Sequence, residues 1–129
     1  AYTEARFTKY DFGSPDSIAF VYTPKWQAGA TLAYTIDTSV GPLRAQLDYS
    51  FVSRMLDSIP NGYSPSASLF NGRINLHLDQ SDIDIALWGR NLADHRYFIQ
   101  NTGSLIPLGY TAGFANAPRR FGVDITKRF

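Results

Sequence analysis

The chain of 129 residues has room for one domain of ordinary size, and its 44% hydrophobic and 18% charged residues exclude both a disordered tail and a charged helical rod. Lys+Arg 12 against Asp+Glu 11 leaves a formal charge of +1, which argues against a dedicated nucleic-acid binder, because no excess of positive charge exists to neutralise phosphates. The cysteine count of 0 removes disulfide frameworks, thiolate catalysis and every zinc site built on cysteine.

Aromatic residues reach 15%, and Glu4 is the single glutamate, so strand formers outweigh helix formers. No run of 18 apolar residues occurs, which excludes a transmembrane helix. In chain order, a weak strand is expected from Tyr2 to Tyr10, and the confident strands begin at Trp26. From Trp26 to Asp37 one side reads Trp26, Ala28, Ala30, Leu32, Tyr34, Ile36 and the other Gln27, Gly29, Thr31, Ala33, Thr35, Asp37. From Leu43 to Arg54, Leu43, Ala45, Leu47, Tyr49 and Phe51 alternate with Arg44, Gln46, Asp48, Ser50, Val52 and Arg54. Phe70, Gly72, Ile74, Leu76 and Leu78 alternate with Asn71, Arg73, Asn75, His77 and Asp79. Next, Ile83, Ile85, Leu87 and Gly89 alternate with Asp82, Asp84, Ala86, Trp88 and Arg90. The last strand sets Phe121, Val123, Ile125 and Phe129 against Arg120, Gly122, Asp124, Thr126 and Arg128, with Lys127 interrupting the apolar side. A slip of one residue would exchange the two faces, so the pattern specifies the register.

The connections alternate in length. Residues 37–42 and 79–82 form tight polar turns, whereas 11–24, 55–65 and 93–117 are long and rich in Gly, Pro, Asn and Ser. Short turns at one end and long loops at the other describe an antiparallel meander of about six long strands, an all-β fold. The length of segment 93–117 marks it as functional or mobile.

A half-solvated soluble sheet would alternate in the same way, with its apolar face on a core. Three features favour lipid instead. The strands run to about ten residues, which at ~3.3 Å each and a tilt near ~40° rise roughly 25 Å, the height of the apolar band on a membrane barrel. The apolar face is uncharged through mid-strand, while the other carries Arg44, Asp48, Arg73, His77, Asp84, Arg90 and Asp124. Trp26, Phe51, Phe70 and Phe121 fall at the long-loop end and Tyr34 and Phe129 towards the short-turn end, as in two interfacial girdles. An open sheet of six strands in lipid would leave two unpaired edges, so the expectation is that the chain is the end of a larger barrel. The rival is a soluble β-barrel or sandwich that binds a small ligand.

The final third carries a resemblance. Residues 83–97, which end Gly89-Arg90-Asn91-Leu92-Ala93-Asp94-His95-Arg96-Tyr97, resemble the penultimate strand of TonB-dependent outer-membrane receptors. The run Ala117-Pro118-Arg119-Arg120-Phe121-Gly122-Val123 and the ending at Phe129 resemble the closing strand of that family, with a departure at Lys127, where an aromatic or apolar residue is usual. Residues 22–26 and 47–54 are similar to earlier strands of the same barrels. Asn91, Leu92, Asp94 and Tyr97 are then the family motif at the strand exit, where Asn91 and Asp94 can hydrogen-bond the backbone. The resemblance implies that Phe121, Val123, Ile125 and Phe129 form the signal that the barrel-assembly machinery reads.

The resemblance implies that residues 1–129 are one partial domain, the C-terminal segment of a barrel of about 22 strands whose plug and earlier strands lie outside it. It implies energised, non-enzymatic uptake of a scarce ligand such as an iron–siderophore complex across the outer membrane of a Gram-negative bacterium. The implied partners are outer-membrane lipid, the barrel-assembly machinery, TonB through the plug, and the ligand; no cofactor is implied.

Other candidates are weaker. Asp79, Asp82 and Asp84 lack the glycine and closing glutamate of a calcium loop and read as a solvated turn. His77 on the polar face and His95 in a loop have distant partners, so no metal site is expected. No phosphate loop, nucleophile elbow or H-E-x-x-H occurs to anchor an enzyme. Arg44, Arg73, Arg90 and Arg120 could line a path for an anion, but pairing with Asp48, Asp84 and Asp124 or contact with the plug is the favoured expectation. Tyr63, Tyr97, Phe98, Tyr110 and Phe114 are the candidate loop contacts, either to a ligand or within the loops.

Overall fold

The computed structural model describes residues 1–6, 20–57, 62–102, 106–110 and 112–127. Its strands are β1 (Gln27–Thr38), β2 (Gly41–Val52), β3 (Met55–Leu56), β4 (Tyr63–Ser64), β5 (Ala67–Leu78), β6 (Ile83–Arg90), β7 (Phe98–Thr102), β8 (Ala112–Ala115) and β9 (Arg120–Lys127). The five long-range strands form one sheet in the order β1-β2-β5-β6-β9, an antiparallel meander in which each strand lies beside the next long one in the chain. The chain divides into two compact units.

The unit of Gly29–Ser50, Ser68–His95 and Ala117–Phe129 holds the body of this sheet. Its pairing confirms the faces expected from alternation. Leu76, Ile85 and Ile125 lie directly opposite one another, as do Ile74, Leu87 and Val123, and then Gly72, Gly89 and Phe121. One register step away, His77 faces Asp84 and Thr126, and Arg73 faces Trp88 and Gly122. Apolar rows and polar rows therefore project on opposite sides.

The two tight turns lie together, with the Asp79 N–H donating to the Val40 carbonyl at 3.1 Å. Gly41 has φ 136° and lies against the His77 carbonyl, where a Cβ has no room. At the second turn the Ser81 N–H reaches the Leu78 carbonyl at 3.3 Å, and Asp82 takes the left-handed conformation at φ 50°. Asp and Asn tolerate that region better than bulkier residues do.

Among the described residues the buried hydrophobic side chains are Ala67 and Ala86, both small. Leu32 and Ile125 are each 71% exposed, and Tyr34, Leu47, Ile74, Leu87, Phe121 and Val123 are exposed as well. No packed interior covers the apolar face among the described residues. The strands are held by their ladders and by cross-strand side-chain pairs.

The other unit, Ala1–Ala28, Phe51–Ala67 and Arg96–Asn116, gathers the long connections. The strand expected over Tyr2–Tyr10 is reduced, in its described part, to a single bridge between Tyr2 and Trp26, whose rings lie 4.8 Å apart; residues 7–10 lie outside the described ones. Two of the connections carry structure that the sequence reading leaves out. The 55–65 loop contains the β3–β4 ribbon, with Met55 opposite Ser64 and Leu56 opposite Tyr63. The 93–117 loop contains the β7–β8 ribbon and a 3-10 turn over Ile106–Leu108. Strand β4 lies against β7. No helix among the described residues is long and apolar enough to cross a membrane, which says nothing of crossing by strands.

Candidate functional site

At the end of β6 the chain must leave the sheet, and Asn91 shapes that exit. It adopts φ 51° and is 6% exposed. Its Nδ2 donates to the carbonyls of His95 and Ala117 at 3.0 and 3.1 Å, and its Oδ1 accepts from the His95 N–H at 2.9 Å. Its own N–H donates to Asn71 Oδ1 on β5 at 3.0 Å. One buried amide thus satisfies three backbone groups and joins the β6 exit to the entry of β9.

Asp94 completes the exit. Its N–H donates to the Asn91 carbonyl at 2.8 Å, its φ is 48°, and its Oδ1 accepts the Arg119 N–H at 2.9 Å. Leu92 lies between the two. Its N–H donates to the Phe70 carbonyl at 2.8 Å, which turns its side chain back over the apolar face. Built Cβ atoms at Gly89 and Gly72 would stand 2.6 and 3.4 Å from its methyl carbons. Phe121 covers Gly89 from the other side, 2.9 Å from the same Cβ position. The glycine pair is the notch that receives Leu92.

The notch opens into a shallow groove of about 380 Å³ across the apolar face, lined by Leu32, Leu47, Ile74 and Leu87 as well as Leu92 and Phe121. Nearby, Tyr49 and Phe70 stack at 4.9 Å, the tilted contact expected of aromatic neighbours on one face.

The polar face is a network of hydrogen bonds rather than a row of free charges. Arg73 pairs with Asp124 at 2.9 Å, and Trp88 Nε1 donates to the same carboxylate at 3.2 Å. The Trp88 ring lies flat enough to occupy the space that a side chain at residue 122 would need, so Gly122 is required there. Asp48 accepts from Thr31 at 2.7 Å and from Gln46 at 3.1 Å, and Asp84 meets His77 Nδ1 at 2.8 Å. Of the three carboxylates expected to neutralise arginines, Asp124 is paired so with Arg73, Asp48 accepts from Thr31 and Gln46, and Asp84 meets His77. Arg90 and Arg120 lie directly opposite each other, and Arg90 leans over the Trp88 ring at 5.6 Å.

His77 Nε2 stands 3.7 Å from Asp79 and 3.9 Å from Asp82. Among the described residues no group of three or more His, Asp or Glu is arranged to hold a metal ion.

The sequence-predicted residues therefore separate. Asn91, Leu92 and Asp94 act together at the exit. Tyr97 belongs to the other unit, where its N–H donates to Asn116 Oδ1 at 3.0 Å and its carbonyl accepts from the Asn116 N–H at 2.9 Å. Phe121, Val123 and Ile125 lie on the apolar face; Phe129 is outside the described residues. Tyr63 on β4 is exposed, with the Arg54 guanidinium 4.3 Å over its ring. Phe98 on β7, Phe114 on β8 and Tyr110 after the 3-10 turn are exposed too, Phe114 at 71%, and Tyr97 is half-buried.

No family model matches the sequence, and no curated protein matches it. Among solved structures, the chain superimposes on the ferric yersiniabactin uptake receptor from Yersinia pestis with a TM-score of 0.70 at 20% identity, over 81% of this chain and 16% of that one. The chain thus spans about a sixth of that receptor's length, and what the two share is the fold: an antiparallel meander of the kind that makes up a receptor barrel.

Proposed function

We propose that this chain is the C-terminal segment of a TonB-dependent outer-membrane receptor, a transporter rather than an enzyme, whose cargo is a scarce ligand such as an iron–siderophore complex. The observation that carries the reading is the uncovered apolar face. Large side chains from Leu32 to Ile125 stand exposed on one side of a sheet whose other side is hydrogen-bonded and charged. In water such a patch is unfavourable; against hydrocarbon it needs no further cover. The likeness to an iron-chelate uptake receptor supports the same choice. In this reading the apolar face meets outer-membrane lipid, and the Arg73–Asp124 network lines the lumen. The barrel-assembly machinery reads the strand that ends at Phe129, and TonB acts through a plug supplied elsewhere. The rival, a soluble barrel or sandwich with its apolar face inward, requires a partner layer over Leu47 and Ile74, which stand exposed here.

The test is spin labelling at Leu32, Leu47 and Ile74, and at Gln46 and Asn75 as polar-face controls, in lipid vesicles. High accessibility to oxygen at the first three and to a water-soluble relaxant at the controls is expected. A rigid, doubly inaccessible label at Leu47 and Ile74 would overturn the assignment in favour of the soluble rival.

A further inference from the structure

The groove on the apolar face is not a uniform band. Leu32, Leu47, Ile74 and Leu87 stand along it, and at one end Leu92 and Phe121 fill the Gly72–Gly89 step and close the trough. Beyond that closure is a cation. The Arg119 guanidinium lies 5.9 Å from the centre of the Phe121 ring, and its Nη1 reaches only the Leu92 carbonyl, at 3.4 Å. No carboxylate comes within ion-pair distance of Arg119 among the described residues. The side chain is thus held at the rim of an apolar trough by a ring contact and one long hydrogen bond, and its other guanidinium donors have no partner among the described residues.

An exposed trough ending at an uncompensated guanidinium matches the two ends of one kind of molecule. We infer that the groove seats a single anionic lipid, its acyl chain along Leu47, Ile74 and Leu87 up to Leu92 and its phosphate on Arg119. An arginine fork binds phosphate oxygens in bidentate geometry, and an aromatic ring beneath it fixes the fork without satisfying its donors. Leu92 is then more than a strand-exit residue: it is the stop that fixes how far the chain end reaches toward the charge. The inference rests on the proposed reading that this face meets lipid.

The test uses the protein in vesicles of phosphatidylcholine containing a minor share of phosphatidylglycerol, each lipid supplied in turn with a photoreactive acyl chain. Adducts are mapped to peptides. Adducts at 72–74 and 87–92 are expected to favour phosphatidylglycerol about fivefold, the size of one arginine's attraction to an anionic lipid surface. Arg119→Gln is expected to abolish the preference, and Arg90→Gln, on the polar face, to leave it intact. Gly72→Leu narrows the trough beside Leu92 and is expected to reduce adducts from both lipids at these peptides. Equal labelling by the two lipids, or equal effects of Arg119→Gln and Arg90→Gln, overturns the inference, as does loss of the preference in excess inorganic phosphate, which would mark a site for free anions. The Arg119 comparison stands even if Gly72→Leu fails to fold. If no lipid labels Leu32, Leu47 or Ile74 at all, it is the membrane reading that fails; labelling there without headgroup preference sinks only the lipid site.

Discussion

Leu92 lies in the space that a side chain at residue 89 would occupy, its Cδ2 standing 2.6 Å from a Cβ built on Gly89. The leucine is held there by its backbone, through the bond from its N–H to the Phe70 carbonyl on the neighbouring strand. It therefore cannot retreat without breaking the exit. Gly89→Val is expected to destabilise the fold by about 1–3 kcal/mol, the usual range for overpacking. Gly72→Ala, whose Cβ would stand 3.4 Å from Leu92, is expected to be nearly neutral. Denaturant unfolding of the two variants in micelles checks the contrast, and equal stability of both would contradict this account of the notch.

Asn91 combines two properties that substitutions can separate. Asn91→Gly keeps the left-handed backbone but gives up the bonds to His95 and Ala117, and the orphaned groups are expected to cost about 1–3 kcal/mol. Asn91→Ala loses the same bonds and adds about 1 kcal/mol for φ 51° in a residue with a Cβ and no local hydrogen bond. The ordering wild type, then Gly, then Ala, in unfolding midpoint, distinguishes this arrangement from a purely steric role, for which Gly would be the worst.

These two sites mark what the sequence makes legible. Alternation alone places Leu76, Ile85 and Ile125 on one face, and the observed register puts them directly opposite one another. Asn91 and Asp94 could be named as exit residues because their side chains favour backbone bonding, but their partners His95, Ala117 and Arg119 depend on where the chain returns. Gly122 reads as a gap on the polar side until Trp88 is seen over it. The β3–β4 and β7–β8 ribbons are invisible for a simpler reason: pairs of two to five residues are too short to establish a period. The pairing of Arg90 with Arg120 joins residues thirty apart in sequence, and no local pattern fixes which cross-strand neighbour each one meets.

The face assignment makes a prediction that is independent of lipid selectivity. Leu47→Arg and Leu76→Arg place a charge on the apolar side, and each is expected to cost ~2–4 kcal/mol in a bilayer-inserted barrel, less toward the strand ends. The same change at Gln46 or Asn75 is expected to be mild, because that side already carries Arg73 and Asp48 among polar partners. Folding yield into vesicles, read by the mobility of unheated samples on a gel, ranks the four variants. Greater damage from Gln46→Arg than from Leu47→Arg would mean the two faces are exchanged.

Arg90 and Arg120 are directly opposite across β6 and β9, and like charges in that position oppose strand pairing. Arg90 relieves part of this by leaning over Trp88, whose ring is itself anchored through Asp124. Replacing Arg120 by Glu turns the repulsion into an attraction, whereas Arg90→Glu gains the same pair but abandons the ring contact. Arg120→Glu is therefore expected to stabilise the sheet by roughly 0.5–1 kcal/mol and Arg90→Glu by less. Both gains are expected to shrink at high salt, since both charges are open to solvent in this structure. Unfolding midpoints at low and high ionic strength decide the matter: a gain that salt does not touch would mean that something other than the two facing guanidiniums strains this row.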